Sequence, residues 1–564
     1  MLTVYRASAG AGKTHTLTGE YLKMLFGGKG QEGEATYRHI LAVTFTNKAT
    51  AEMKDRIVRD LYALASGGRS GHLEMLRAHL GGATEADVRT RARTLLVRML
   101  HDYAAFNVST IDHFFQQTLR AFVREIGLQG NYVVELDAEP VLDEAVDSLL
   151  AGLDREGGDS ELFRWLLRFS EQKVERGETW VLSRDMKTLG RQLFNEHYKA
   201  LRSADDADET APTVDRKKMT AYSDMLYATM NAIKSEAREL GERGLSIMAR
   251  YGLKPESFKW KDKSGLMFFN KLQSGVIDEE PGKRFCQLPD NLAEWVSGKN
   301  AAIEQAYADG LNDCVKAVLR FYDTRMRDYL TAQAIAANFY TLGILGDIAR
   351  EIRRRSDEKN RMLIADTAEL LTRIIDGSDV PFIYEKTGTR IRHYLIDEFQ
   401  DTSALQWRNF RPLVADSLGA GYDDLIVGDV KQSIYRFRNS DWTLLDERIG
   451  LDFPTGVTER TLAENWRSFG RVVEFNNALF TFFPARLQER YNVGLAESTL
   501  PPERCALYGG RILRAYAHSR QALPEGRAAN AGHVRVELLE HTGKKEEWQE
   551  QAMARLVDVV SELR

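Results

Sequence analysis

Residues 2–18 read LTVYRASAGAGKTHTLT. An apolar run leads into two glycines and a Lys-Thr pair, and Leu17, Tyr21 and Leu25 follow at helical spacing. The pattern predicts a strand, a tight turn and a helix. That is the geometry of a phosphate cradle. Gly10 and Gly12 let the backbone turn its N–H groups inward, and the helix start adds the positive end of its dipole. Lys13 can reach outer phosphates, and the Thr14 hydroxyl can ligate magnesium. Ala7 stands where the usual G-x-x-x-x-G-K-[ST] pattern begins with glycine. The strict pattern is therefore not met, and a plain glycine turn with a surface lysine competes with the cradle.

A phosphate cradle that hydrolyses its ligand also needs carboxylates. HYLIDEFQD, residues 393–401, is a short apolar run ending in acids. A strand delivers Asp397 and Glu398 at its C-terminal end, where open α/β sheets bind ligands. Asp397 suits magnesium, and Glu398 suits the orientation and deprotonation of an attacking water. The competing reading is a solvated loop of acids.

The surrounding pattern predicts an α/β fold. HILAVTFT is a buried strand, and Met53, Ile57, Leu61 and Leu64 mark a second amphipathic helix. Strand–helix alternation predicts a parallel sheet covered on both faces. From roughly residue 120 to 390 the pattern turns helical, as in AYSDMLYATMNAIKSEAREL and VKAVLRFYDTRMRDYLTAQAIAANFY. RSADDADETAPTVDRKK is a polar connector, and strands return at IRHYLIDEF and DDLIVGDV. The expected architecture is one sheet domain interrupted by a large helical insertion. A chain of 564 residues predicts about three or four domains.

Net charge is −5, which does not exclude nucleic acid, because a local basic groove suffices. Cys286, Cys314 and Cys505 form no C-x-x-C pair, which suggests reduced thiols. No signal peptide or membrane-length apolar run is visible, so a cytoplasmic protein is expected. REIRRRSDEKNR, residues 350–361, reads as a solvated helix face rather than a DNA path.

ASAGAGKT, AVTFTNKATAEMKDRI, STIDHFF, YLIDEFQDTSALQW, LIVGDVKQSIYRFR and LAENWRS occur in the order of motifs I, Ia, Ib, II, III and IV of the UvrD/Rep helicases of superfamily 1. The flanking residues look most like the RecB/AddA subgroup. In that family alanine is common at the first loop position, which answers the doubt over Ala7. The resemblance implies a RecA-like first domain built from 1–62, 101–120 and 385–445. It further implies an all-helical insertion at 63–100 and 121–384, and part of a second RecA-like domain at 446–564. It implies ATP and magnesium as cofactors, with Ala9, Gly10, Ala11, Gly12, Lys13 and Thr14 around the phosphates. Gln432 would sense the γ-phosphate, Arg467 would reach it, and Trp466 would lie against the adenine unless it is a core aromatic.

The same resemblance assigns DNA contacts to Phe45, Asn47 and Lys48, to Thr110, His113 and Phe114, and to Tyr435, Phe437 and Arg438. Stacked aromatics beside cations suit single strands. The competing reading puts Phe45, Phe114 and Phe437 in the core and makes His113 an ordinary polar residue. The implied activity is 3′–5′ DNA translocation and unwinding in recombination or repair, on single strands and duplex junctions. A second repair subunit is an implied partner, and a membrane is not. Motifs V and VI are not found before Arg564, so an N-terminal piece with poor turnover is expected, from a helicase that can carry a nuclease. An ATP-gated DNA-binding scaffold without catalysis is the alternative. Lys13, Asp397, Glu398, Gln432 and Arg467 all being present speaks against it. Another kind of P-loop ATPase would have no reason to carry TFTNKATAEM or GDVKQSIYRFR.

Overall fold

A computed structural model describes residues 1–27, 36–123, 132–153, 160–175, 177–196, 198–199, 216–296, 298–376, 388, 390–527, 529–539 and 545–563. The chain divides into two compact units, Met1–Tyr132 with Ile364–Arg564, and Val133–Leu363. In chain order the elements begin with strand β1 (Leu2–Ala7), helix α1 (Lys13–Phe26), strand β2 (Ile40–Thr44) and helix α2 (Asn47–Ala65). Helices α3 (Leu73–His79) and α4 (Glu85–His101), strand β3 (Val108–Thr110) and helix α5 (Ile111–Ala121) follow. Strands β4 (Val133–Glu135) and β5 (Arg361–Leu363) fall in the second unit; β6 (His393–Ile396), β7 (Asp424–Gly428) and β8 (Val457–Leu462) return to the first.

Six strands of the first unit form one sheet in the order β3-β2-β6-β7-β1-β8, and every pair is parallel. β2 and β7 are buried throughout, which is why ILAVT and DLIVG read as unbroken apolar runs rather than alternating ones. The expected helix faces are also buried: Leu17, Tyr21 and Leu25 on α1, and Met53, Ile57, Leu61 and Leu64 on α2. Thr46 caps α2 by accepting the Ala49 N–H at 3.2 Å.

The domain boundaries differ from expectation in three places. The resemblance puts residues 63–100 in the insertion, yet Leu76, Val88, Ala92, Leu96 and Met99 join the same core as Leu17, Tyr21 and Ile57. The apolar stripe of α4 is buried in the sheet unit. Helix Thr367–Asp376 also belongs here. Its Thr372 hydroxyl donates to Asn409 Oδ1 at 2.8 Å, and Asn409 Nδ2 donates to the Ala368 carbonyl at 2.8 Å. The insertion thus runs from Val133 to Leu363 rather than to 384. At the other end, β8 pairs with β1 from Leu2↔Val457 to Ala7↔Leu462. Arg6 Nε lies 3.0 Å from Glu459 Oε2 across that pair. A boundary at 446 would separate this strand from its own sheet, so the chain forms two units where three or four were expected.

The second unit is mainly helical, with Arg216–Arg250 and Asn312–Leu342 its longest helices. Trp295, Phe269, Phe285 and Tyr329 fill its core. It is not all helix: β4 and β5 pair in parallel, Val133↔Arg361 to Glu135↔Leu363. The two extended ends satisfy each other's backbone groups. Among the cations of residues 350–361, Arg354 pairs with Glu351 at 2.5 Å and Arg361 with Glu144 at 2.6 Å.

The polar connector lies mostly outside the described residues, as does the loop GGKGQEGEA. Near the C-terminus Lys545–Leu563 forms a helix, and residues 533–539 form no strand. Val536 and Leu538 are exposed there, and an extended segment without a paired neighbour makes no ladder. Among the described residues no helix is long and apolar enough to cross a membrane.

Candidate nucleotide site and nucleic-acid interface

Because the six strands are parallel, their C-terminal ends share one edge of the sheet. Each expected motif follows such an end: Ser8–Gly12 after β1, Phe45 after β2, Thr110 at the end of β3, Asp397 after β6, Asp429 after β7 and Asn465 after β8. In open parallel sheets that edge is where ligands bind.

The loop after β1 has the form of an anion cradle. Gly10 and Gly12 hold φ of 79° and 77°, a region that favours glycine. A Cβ on Gly10 would also lie 2.9 Å from Asn465 Oδ1 and 3.0 Å from Arg467 Cβ. The Ala11 N–H closes a turn on the Ser8 carbonyl at 3.1 Å. α1 starts at Lys13 with no acid in its first turn, leaving its first N–H groups and dipole end suited to phosphate.

Residues after β8 brace this loop. The Trp466 N–H donates to the Gly10 carbonyl at 2.8 Å. Asn465 Oδ1 accepts the Arg467 and Ser468 N–H groups at 2.9 and 2.8 Å, while its Nδ2 donates to Gln521 Oε1 at 2.8 Å. Gln521 Nε2 in turn donates to the Ala9 carbonyl at 3.0 Å. A trans peptide points its carbonyl and the next N–H to opposite sides. Anchoring the Ala9 carbonyl on these amides therefore turns the Gly10 N–H the other way. Trp466 is 55% exposed, so it is not a core aromatic. A Cβ on Gly12 would lie 3.5 Å from its Cδ1.

The acids after β6 meet the loop lysine. Lys13 Nζ contacts Glu398 Oε1 and lies 3.8 Å from Asp397 Oδ1. DEFQD is therefore not a solvated loop: Asp397, Gln400 and Asp401 are buried. Burial pushes the Asp397 carboxyl up to about 6, the Glu398 charge adds to the rise, and Lys13 opposes it. Asp401 is likewise raised to about 6, by burial first and then by Glu398. A buried carboxylate of this kind gains from a nearby cation. Thr14 offers a half-buried hydroxyl, and together they are the hard oxygen donors magnesium takes alongside water and phosphate. Among the described residues no larger cluster of metal-ligating side chains exists.

Gln432 does not touch Lys13 or Glu398 directly. Its Nε2 donates to Asp429 Oδ2 at 2.7 Å, and Lys431 Nζ pairs with Asp429 Oδ1 at 2.6 Å. Arg467 is exposed beside the loop.

The residues expected on DNA fall in two groups. The Phe45 and Tyr435 rings pack at a tilt of 36° with centroids 4.8 Å apart, Tyr435 meets Phe437 at 5.9 Å, and the Arg438 guanidinium lies 5.9 Å from the Phe45 and Tyr435 rings. Phe437 is 78% exposed, so this is a surface platform. Asn47, Thr110, His113 and Phe114 instead line a cleft of about 750 Å³ with Lys54. Thr110 caps α5 by accepting the His113 N–H at 3.2 Å. Phe114 is half-buried against Phe410, with centroids 5.6 Å apart. Lys48 is exposed in the first turn of α2 and does not line the cleft.

Sequence reasoning passed over Gln400, Asp401, Asp429, Asn465 and Gln521. The first four stand inside quoted motifs, where their types alone do not disclose what they face. Gln521 had no local signal.

A parallel sheet with a glycine loop after one strand, and acids on the loop lysine from a strand two places away, defines a P-loop α/β nucleotide-binding protein of RecA-like form. More narrowly, the chain belongs to the UvrD/REP helicase family, whose N-terminal domain matches residues 2–449. It is 23% identical over 501 residues to an ATP-dependent helicase/nuclease subunit of Streptococcus thermophilus, covering 84% of this chain and 37% of that protein. It is 26% identical over 494 residues to the RecBCD enzyme subunit RecB of Escherichia coli, covering 84% and 37%. The ATP-dependent helicase/nuclease subunit of Natranaerobius thermophilus is 23% identical over 543 residues, with 84% and 36% covered. The chain thus spans little more than a third of the length of these relatives.

Proposed function

We propose that this chain is the ATP-binding part of a 3′–5′ DNA translocase and helicase that acts on single strands and duplex junctions in recombination or repair. It would work in the cytoplasm within a helicase–nuclease, partnered by a second subunit. The observation that carries the reading is the meeting of Lys13 with Glu398 and Asp397 at the glycine loop. The family match and the names of the relatives support it.

In this reading Lys13 draws charge from the outer phosphates. Glu398 orients the attacking water and takes its proton. The Gln432 amide donates to the γ-phosphate and accepts from that water. Arg467 brings fixed donors to the charge that develops on transfer. Trp466 lies against the adenine. Magnesium, when bound, neutralises charge on the β- and γ-phosphates; Thr14 and Asp397 are the residues that would hold it. The platform of Phe45, Tyr435, Phe437 and Arg438 stacks bases, and the cleft with Asn47, Thr110, His113 and Phe114 takes another stretch of the strand, with Lys48 on its backbone. The intact lysine and acids favour hydrolysis over an ATP-gated scaffold.

The test is binding of a fluorescent ATP analogue with magnesium, and of a labelled oligothymidine, to the chain and to Lys13→Ala. Nucleotide affinity is expected to fall about tenfold or more in the variant, the scale of losing a charged phosphate contact. Equal affinity in the variant, or no nucleotide binding by the wild type, would overturn the reading.

A further inference from the structure

Gln400 is 1% exposed, and both the nitrogen and the oxygen of its side-chain amide are engaged. Its Nε2 donates to Glu398 Oε2 at 2.8 Å, and its Oε1 accepts the Asp429 N–H at 2.9 Å. Its backbone carbonyl accepts the Ser433 hydroxyl at 3.1 Å. The fit is close: a Cβ on Gly428 would lie 2.8 Å from Gln400 Oε1.

Asp429 opens the segment that carries Gln432 and then Tyr435, Phe437 and Arg438. One carboxamide therefore joins the acid at the loop lysine to the backbone leading to the aromatic platform. Breaking either bond leaves a buried polar group unsatisfied. A shift of Glu398 pulls on Asp429, and a shift of the platform segment pulls back.

We propose that Gln400 is the positioning residue that couples nucleotide at the glycine loop to single-stranded DNA on the Tyr435 platform. The proposal rests on the functional reading above. Coupling of this kind is reciprocal and appears as a change in DNA affinity when nucleotide binds.

The experiment measures the affinity of the chain for labelled oligothymidine by anisotropy, with and without a non-hydrolysable ATP analogue and magnesium. The wild type is expected to show at least about a fivefold change, the low end of such couplings. Gln400→Glu keeps the acceptor for the Asp429 N–H and loses the donor to Glu398. It is expected to bind each ligand alone within about threefold of wild type, with the change cut below about twofold. The double variant Glu398→Gln with Gln400→Glu restores a donor–acceptor pair in the reverse direction and is expected to restore the change. A role in packing alone would not be rescued.

Retained coupling in Gln400→Glu overturns the proposal and leaves the functional reading standing, as does failure of the double variant to restore it. No nucleotide effect in a wild type that binds both ligands also overturns the proposal alone. Absence of nucleotide binding by the wild type overturns the functional reading and the proposal with it. Should Gln400→Glu fail to fold, Gln400→Met, of similar volume and without either side-chain bond, takes its place, and retained coupling there overturns the proposal.

Discussion

Glu398 holds φ 52° and ψ 41°, left-handed values for a residue that is not glycine. Such a backbone costs of order 1–3 kcal/mol and persists where its surroundings over-determine it. Here the Glu398 N–H donates to Asp397 Oδ1 at 2.9 Å, while Lys13 and Gln400 hold the two carboxylate oxygens. The strain turns the carboxylate toward the loop lysine. Glu398→Gln keeps shape and removes the proposed base. Hydrolysis is expected to fall by about 10²–10⁴-fold, the range for a lost general base, with nucleotide affinity nearly unchanged. Single-turnover hydrolysis beside equilibrium binding checks this, and undiminished turnover would mean that another group takes the proton. At this scale Lys13 and Glu398 were legible because a cradle lysine and an acid after an apolar run have a local signature. Gln400 was not, since a carboxamide declares nothing until its two partners are seen.

Between elements, the loop after β1 depends on the residues after β8. Asn465→Ala would strip the partners of the Arg467 and Ser468 N–H groups and of Gln521 Oε1. Leaving such groups unsatisfied is worth about 1–3 kcal/mol. The variant is expected to lose that much stability in a urea titration and to bind nucleotide more weakly, because Gln521, which anchors the Ala9 carbonyl, and the turn at Arg467 and Ser468 lose their brace. At the opposite edge of the sheet, Asp424 opens β7. Its Oδ1 accepts the Tyr394 N–H at 2.7 Å and the Ser417 hydroxyl at 3.0 Å, and its Oδ2 is buried with no partner. Burial pushes this carboxyl up to about 7 from an ordinary 3.8. The folded state holds the proton more tightly than the unfolded chain, so the stabilisation is greatest at low pH and is lost as pH rises through 7. Between about pH 5 and pH 8 the loss is of order 2 kcal/mol. Comparing unfolding at the two pH values in wild type and Asp424→Asn checks it: the variant should show the smaller decline, and an equal decline would assign the proton elsewhere.

For the molecule as a whole, residues 133–363 carry a core of their own, with Trp295, Phe269, Phe285 and Tyr329 inside and β4 paired to β5 across its two ends. Expressed alone, this segment is expected to unfold in one cooperative transition, followed by circular dichroism against urea. A broad, non-cooperative loss of helix would mean that it needs the sheet unit. The insertion was legible from its long helical periods, but its limits were not. Val88, Ala92 and Met99 have the same helical spacing whether they pack on the sheet unit or on the insertion.

The sequence by itself determined what is local: the strand, turn and helix around Lys13, the buried runs of β2 and β7, the periodic faces of α1 and α2, and the motif order that marks the family. Propensity, apolar period and glycine placement act over a few residues, so they can be read without a fold. The tertiary structure alone decided which strands are neighbours, that β8 completes the first sheet, that 63–100 joins its core, and that Gln400, Asn465 and Gln521 bridge distant segments. Those outcomes depend on pairing between residues tens to hundreds of positions apart, and no short window of sequence carries the energy of a contact whose partner lies outside it.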